Sequence, residues 1–505
     1  MTDLIPGHGY SDGDIDTNNL PGESLWDIAE QRHSRRNVMR GGLAASSLAF
    51  LGAGLAGCGE GLGGAGTPNK ATAGQEISVT SGQSVTLEAT GTEELNQVEG
   101  PQVELVREPN GRISFIAPAV SKLTTLVFAL LNGLARIHVG PARLNFSAVA
   151  KNRDDIVTVP AGYKVTVMTR LGDPIAAGVD DYRNDGSDTG FDKRIGDHGD
   201  ALHFFGLSQN GRRNDNASKR GLLVQNHENL NVQYLHPNGP TNVASGPRPE
   251  EEAIKEIEAH GVSVTELVDK GRGAWSWVKD SAFNRRITPN TPMQFNGPAR
   301  GSAFLKTVYS VDGTQGRGTI NNCANGDTPW GTNLTCEENW AGYFKRSGDD
   351  AQRSARELVA LRRYGVTGSA GNYAWSSVTP SDQGDTRFRR WDARAGAEMT
   401  ATQDFRNEPN QFGWVVEIDP YDPASKPRKR TALGRMGHEG AWLGRLQPGQ
   451  KIAVYMGDDS RREYFYKFVS DAKWEARDAL GASNLELGDK YLDAGTLYVA
   501  KFNSD

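Results

Sequence analysis

Cysteine is scarce in this chain of 505 residues: only Cys58, Cys323 and Cys336 occur. With Cys58 assigned to an N-terminal leader, two remain, and three readings stay open for them: one disulfide, a thiolate ligand, or two buried thiols. Positive charge is also short, with 56 Lys and Arg against 62 Asp and Glu and a formal net charge of -6. That balance, with no long basic stripe, argues against a nucleic-acid binder; phosphate would have to be met by a local site. Outside the leader no apolar run approaches the ~20 residues needed to span a bilayer. A strict blade repeat is missing too, so periodicity alone does not choose among large β architectures. What is abundant is glycine, 60 residues, which points to turn-rich β structure rather than helix bundles. Hydrophobic (37%) and charged (23%) fractions are ordinary for a soluble globular protein, and the length allows more than one domain.

The first 58 residues read as a twin-arginine (Tat) signal peptide. Arg35-Arg36 precede a weakly apolar stretch, 41–56, that is too short and too rich in glycine for a membrane span. Leu55-Ala56-Gly57-Cys58 resembles a lipobox, so lipidation of Cys58 and simple cleavage are the two alternatives, and a Gly-rich linker, 59–74, follows. Either way the sequence predicts export through the Tat machinery to the periplasm or beyond, with a membrane anchor if Cys58 is lipidated. Tat carries folded proteins, often with cofactors already inserted, which raises the expectation of a metal centre.

Residues 75–142 alternate with period two in short runs at 77–79, 85–87, 103–105, 113–116 and 126–128, separated by Gly and Pro. This predicts a small antiparallel β-sandwich, similar to PKD or immunoglobulin-like modules, serving as a spacer or adhesion module. From 143 to 505 the pattern is mainly β. Strands are expected at 155–159, 164–169, 221–225, 262–268, 304–309, 414–418, 451–456, 464–469 and 496–502, with helices at 249–260 and 350–363. Their spacing with Gly, Asp and Pro turns favours a β-propeller or a large sandwich.

Chemistry concentrates in 319–344, where both remaining cysteines fall among Asn321, Asn322, Asn325, Glu337, Glu338 and Asn339. Turn chemistry uses Asn, Gly and Pro, but it does not need Cys323, Cys336 and paired carboxylates with them. Similar polar groups punctuate other strand ends: Asn226-His227-Glu228, Arg435-Met436-Gly437-His438-Glu439 and Gly457-Asp458-Asp459. Each alone reads as a surface turn. Four in one body favour convergence, as strand ends converge on the central channel of a propeller.

Asn321-Asn322-Cys323-Ala324-Asn325-Gly326, Thr328-Pro329-Trp330-Gly331-Thr332, Thr335-Cys336-Glu337-Glu338-Asn339, Phe412-Gly413-Trp414-Val415-Val416-Glu417-Ile418-Asp419-Pro420 and Tyr455-Met456-Gly457-Asp458-Asp459 closely resemble the PhoX family of bacterial alkaline phosphatases, over most of 144–505. The resemblance implies a Tat-exported β-propeller hydrolysing phosphomonoesters with a cluster of Fe(III) and Ca2+ that includes a cysteine ligand. It implies metal ligands among Glu228, Glu337, Glu338, Glu439, Asp173 and Asp458, with Cys323 preferred to Cys336 because the Asn-Asn-Cys turn reads as an exposed loop. Thiolate with carboxylates suits Fe(III), and carboxylates with carbonyls suit Ca2+. Arg435 is the candidate phosphate clamp, with Lys429 and Asn322 as further catalytic candidates. Small phosphate esters are the expected partners, nucleic acid is not, and a monomer is expected. The chain departs from the family at Leu171-Gly172-Asp173-Pro174, where Trp-Gly-Asp-Pro is frequent, and in its Met436-Gly437 pair. Family members also continue past the point matching Asp505, so the resemblance leaves two alternatives: a fragment that lacks the last blade, or a propeller that closes differently. Two other readings are a non-catalytic, lipid-anchored binding propeller and a calcium-dependent phosphodiesterase or esterase.

Overall fold

A computed structural model describes residues 69–88, 95–107, 112–141, 149–160, 163, 165–271, 274–346, 348–367 and 370–502. The leader, with Arg35, Arg36 and Cys58, lies outside these residues, as does most of the 59–74 linker. The chain divides into two compact units, with the boundary between Val167 and Met168. Among the described residues no helix is long and apolar enough to cross a membrane.

The first unit holds β1 (Asn69–Ala71), β2 (Glu76–Thr80), β3 (Ser84–Leu87), β4 (Asn96–Glu99), β5 (Val106–Arg107), β6 (Ile113–Ile116), β7 (Thr124–Leu130) and β8 (Gly133–Gly140). They form two four-stranded sheets, ordered β1-β3-β6-β5 and β2-β8-β7-β4. Alternating residues of both, such as Val85, Leu87 and Phe115 from one and Leu126, Phe128 and Ile137 from the other, fill one apolar core. Two features differ from expectation. The pairs β1–β3 and β2–β8 run parallel. Residues 103–105 are not a strand, because the Val103 amide donates to the Gln97 side chain (3.0 Å) instead of to a neighbouring strand.

The second unit holds β9 (Gly199–Gly206), β10 (Arg220–His227), β11 (Gly261–Asp269), β12 (Trp275–Trp277), β13 (Arg285–Ile287), β14 (Pro292–Asn296), β15 (Gln315–Arg317), β16 (Asn322–Asp327), β17 (Asn333–Glu337), β18 (Val415–Ile418), β19 (Arg428–Arg430), β20 (His438–Leu443), β21 (Lys451–Asp458), β22 (Phe465–Lys473) and β23 (Gly495–Val499). Three sheets result, ordered β12-β11-β10-β9 with β13 also on β11, β15-β14-β19-β18-β17-β16, and β20-β21-β22-β23. The unit is thus mainly β with few helices. Helix 250–259 falls where expected, and helix 355–363 starts only after Ser354, which forms a capping box with Glu357. On the first unit's side of the boundary, residues 155–159 form no strand: Ile156 and Val157 pair with no neighbouring strand and stay exposed. The described part of 164–169 also pairs with no strand. At 304–309 the Ser302 side chain accepts from the Phe304 amide and turns the chain into a 3-10 helix, Ala303–Leu305.

Candidate metal centre

The stretch 319–344 is a hairpin rather than a pair of loops. β16 and β17 pair in the register Asn322↔Glu337 and Asn325↔Thr335, with a slip between Asn322 and Asn325 that leaves Cys323 and Ala324 bulged. The bulge is held from outside: the Asn226 side chain donates to the carbonyls of Cys323 (2.6 Å) and Ala324 (3.1 Å). Asn321 enters the hairpin at φ 50°, a left-handed backbone that Asn tolerates, and its side chain accepts from the Asn339 amide. At the other end the turn is pinned by Trp330, which stacks on Tyr491 at 5.4 Å and donates to Glu417 (2.8 Å).

The same local arrangement occurs three times. The register pairs Gly199↔His227, Asn322↔Glu337 and His438↔Asp458 stand at the ends of three antiparallel strand pairs, β9–β10, β16–β17 and β20–β21. One residue further along each strand come Asp200 and Glu228, Cys323 and Glu338, and Glu439 and Asp459. In each pair the register slips close to these positions, and such bulges re-aim side chains. The ligand atoms of Asp200, Glu228 and Cys323 lie within 4.8 Å of one another, and so do those of Cys323, Glu338 and Glu439. Cys323 belongs to both groups, with its Sγ 3.8 Å from Glu439 Oε1. Asp459 joins through a hydrogen bond to Glu338.

Such crowding of acids shows in their proton affinities. Burial first, then the carboxylates of Asp200, Glu439 and Asp459, push Glu228 up to about 7. Burial likewise lifts Glu338 to about 9, and burial followed by the Glu338 charge drives the Cys323 thiol upward. Without a cation the folded chain therefore holds protons that the unfolded chain releases near 4.5. By linkage, the stability these two glutamates contribute is fully present below 4.5 and is lost as pH rises, through about 7 for Glu228 and about 9 for Glu338. The melting temperature of metal-free protein is expected to fall across that window. Calcium at saturation should reverse the fall, as thermal melts at a series of pH values would show. A thiol shared by two carboxylate groups, with protons to displace, fits cations that accept both hard oxygen and thiolate donors.

Of the residues singled out in the sequence, the structure brings Glu228, Cys323, Glu338 and Glu439 together and leaves the others elsewhere. Glu337, although adjacent to Glu338, is fully buried in a 2.7 Å ion pair with Lys429, itself fully buried; neither reaches the cluster. Arg435 is stacked between Trp340 and Tyr364, at 4.2 and 4.4 Å, and donates to the carbonyls of Phe412 and Pro409, so it clamps backbone rather than phosphate. Asn322 is buried and donates to Thr319 and Thr335. Asp173 accepts from the Arg170 amide and Asp458 from the Ser460 amide; each closes a local turn. His227 and His438 are buried, with His438 lowered to about 4 by burial. Both thiols are free, and Cys336 is completely buried in the apolar core.

Sequence reasoning missed Asp200 and Asp459. For Asp459 the signal was present: Ile452, Val454 and Met456 are the core side of β21, so period two puts Asp458 on their parity and Asp459 on the parity of Gly457, the partner of Glu439. For Asp200 the signal exists only once β9 is paired with β10.

A mainly β scaffold with five carboxylates and a thiol converging from three strand pairs defines the class: a protein built around an acidic site suited to metal ions. The model of the PhoX alkaline phosphatase family matches residues 144–505, and the chain belongs to that family. It is similar to a solved structure of Pseudomonas fluorescens PhoX in complex with vanadate, a transition state analogue, at 36% identity and a TM-score of 0.60, covering 71% of this chain. The match spans 55% of the length of that protein. Comparison with curated proteins finds no match.

Proposed function

We propose that this chain is an exported metal-dependent phosphatase that releases inorganic phosphate from phosphomonoesters. The observation that carries the reading is the convergence of Asp200, Glu228, Cys323, Glu338, Glu439 and Asp459 from three strand pairs in a chain of this family. The three sheets of the second unit are then blades of a β-propeller whose strand ends face one site, and the first unit is a PKD or immunoglobulin-like accessory module. Asp200, Glu228 and Cys323 would hold one cation and Cys323, Glu338 and Glu439 another, with Fe(III) at the thiolate and Ca2+ among the carboxylates. Bound cations supply charge neutralisation for a phosphoryl group and an acidified water. The chain's own part is to keep six acidic groups at fixed separation and deprotonated when loaded. The bulge carbonyls of Cys323 and Ala324, tied to Asn226, fix the thiol between its neighbours.

Export follows the twin-arginine leader, with Cys58 lipidated or removed, and places the enzyme in the periplasm or outside the cell, as a monomer acting on small esters. Purified full-length protein is expected to contain iron and calcium and to hydrolyse p-nitrophenyl phosphate. Chelation should abolish turnover, and readdition of Ca2+ with iron should restore it. Metal-replete protein inert on a panel of monoesters and diesters would overturn the enzyme reading in favour of a binding propeller. Turnover of diesters alone would make it a phosphodiesterase.

A further inference from the structure

An asparagine precedes two members of the cluster at the same spacing: Asn226 stands two residues before Glu228, and Asn321 two before Cys323. Their side chains cross. Asn226 Nδ2 donates to the carbonyls of Cys323 (2.6 Å) and Ala324 (3.1 Å), while Asn321 Nδ2 donates to the carbonyl of Glu228 (3.3 Å). Each of the two ligand candidates is therefore gripped, through its own peptide, by the carboxamide that precedes the other.

Both carboxamides are anchored at their other end. Asn226 Oδ1 accepts from the Thr335 hydroxyl (2.8 Å). Asn321 Oδ1 accepts from the Asn339 amide (2.6 Å), and its Nδ2 also donates to the Tyr343 hydroxyl (3.2 Å). Two donors and an acceptor are what a carboxamide offers and a carboxylate does not. Asn226 and Asn321 are each only 1% exposed, and a buried network satisfied in this way holds its partners in one geometry. The arrangement supplies what the strands do not. β10 and β16 belong to different sheets, so no shared ladder sets the distance from Glu228 to Cys323. Backbone bonds extend the grip to the neighbouring acids: the Glu228 amide donates to the carbonyl of His198 (3.1 Å), two residues before Asp200, and the Glu338 amide donates to the carbonyl of Asn321 (3.0 Å).

We propose that Asn226 and Asn321 form a reciprocal lock that fixes the separation of Glu228 from Cys323 before a cation arrives, making both asparagines positioning residues for the cation held by Asp200, Glu228 and Cys323. The inference rests on the reading of the cluster as a cation site and deepens it. A site already set at its bound separation does not spend binding energy on drawing its ligands together.

The test uses full-length protein freed of metal by chelation and titrated with cobalt(II), whose thiolate charge-transfer absorption reports coordination by sulfur. Wild-type protein should show the band and Cys323→Ser should lack it. Asn226→Ala and Asn321→Gly should each weaken cobalt binding about 10- to 100-fold. Glycine accepts the φ of 50° at position 321, so Asn321→Gly decides the matter if Asn226→Ala does not fold. The double variant should lose little more than the worse single one, because either change opens the same lock. Asn407 is the control. It is also buried and donates to two carbonyls, those of Ala303 (3.1 Å) and Lys306 (3.0 Å), so Asn407→Ala should lower the melting temperature and keep the cobalt affinity. Unchanged affinity in both single variants, an equal loss in Asn407→Ala, or single losses that multiply in the double variant would each overturn the lock while leaving the cation site standing. A wild-type chain without the band overturns the thiolate site itself, and the lock with it.

Discussion

Cys323→Ser is expected to lower bound iron and phosphomonoester turnover by roughly a hundredfold or more, whereas Cys336→Ser should leave both nearly intact in the folded fraction. Cys323 is the one group common to both sets of ligand atoms, so its replacement weakens two cation sites at once. Altering a group that merely orients a ligand costs about 10- to 100-fold in affinity or activity, and a shared ligand belongs at or beyond the top of that range. Serine keeps the shape and is a far weaker partner for a soft cation. Cys336 lies in the same hairpin but packs among Leu334, Val415 and Met456 with no exposure. Its serine variant places a hydroxyl in an apolar core, at about 1–3 kcal/mol of stability. Metal content by elemental analysis, beside melting curves, separates the two effects. Equal metal loss in both variants would remove Cys323 as the ligand.

The largest expected loss of stability lies at Lys429. Its ammonium is fully buried 2.7 Å from Glu337, whose other oxygen accepts from the Trp414 amide (3.0 Å), and it stands 4.7 Å over the Phe412 ring. Burial lowers it to about 8, and the Glu337 charge opposes that shift. Lys429→Met leaves a carboxylate sealed without its cation, an outcome that typically costs 3–5 kcal/mol. The double variant Lys429→Met/Glu337→Leu removes the orphan charge and should recover most of that loss, since apolar replacement of a buried pair is often neutral. Denaturant titration of the single and double variants measures both terms. If instead Lys429→Met kept its stability and lost turnover, Lys429 would be catalytic after all.

These two pairs of residues also show what was legible in the chain. Glu228 stood out because it follows an apolar strand, Cys323 because a scarce cysteine stands among carboxamides and paired carboxylates, and Glu439 because it repeats the His-Glu pair. Glu337 and Glu338 could not be separated by composition. Successive strand residues face opposite ways, and only the pairing of β17 with its neighbours shows that Glu337 turns inward to Lys429 while Glu338 turns to the cluster. Arg435 misled for a related reason. A guanidinium beside a His-Glu pair looks like a phosphate clamp, but two aromatic faces and two carbonyls claim it. The mainly β character was plain from glycine and alternation. Residues 155–159 alternate as well as any real strand, yet a strand exists only where a second one pairs with it.

The repeated offset, one residue past each register pair, also fixes when the site can exist. Its parts are scattered from Asp200 to Asp459, so no single strand pair contains it, and closing it brings together residues far apart in sequence. Each strand pair can form early from local contacts; the cluster appears only once all three have docked, with its like charges opposing that last step. A cation arriving then acts as a rivet set after the plates are aligned. It adds little to any one sheet and much to the seams between them. Hydrogen exchange after metal removal should therefore accelerate first at the ends of β9, β16 and β20, while the centres of β10, β21 and β22 keep their protection.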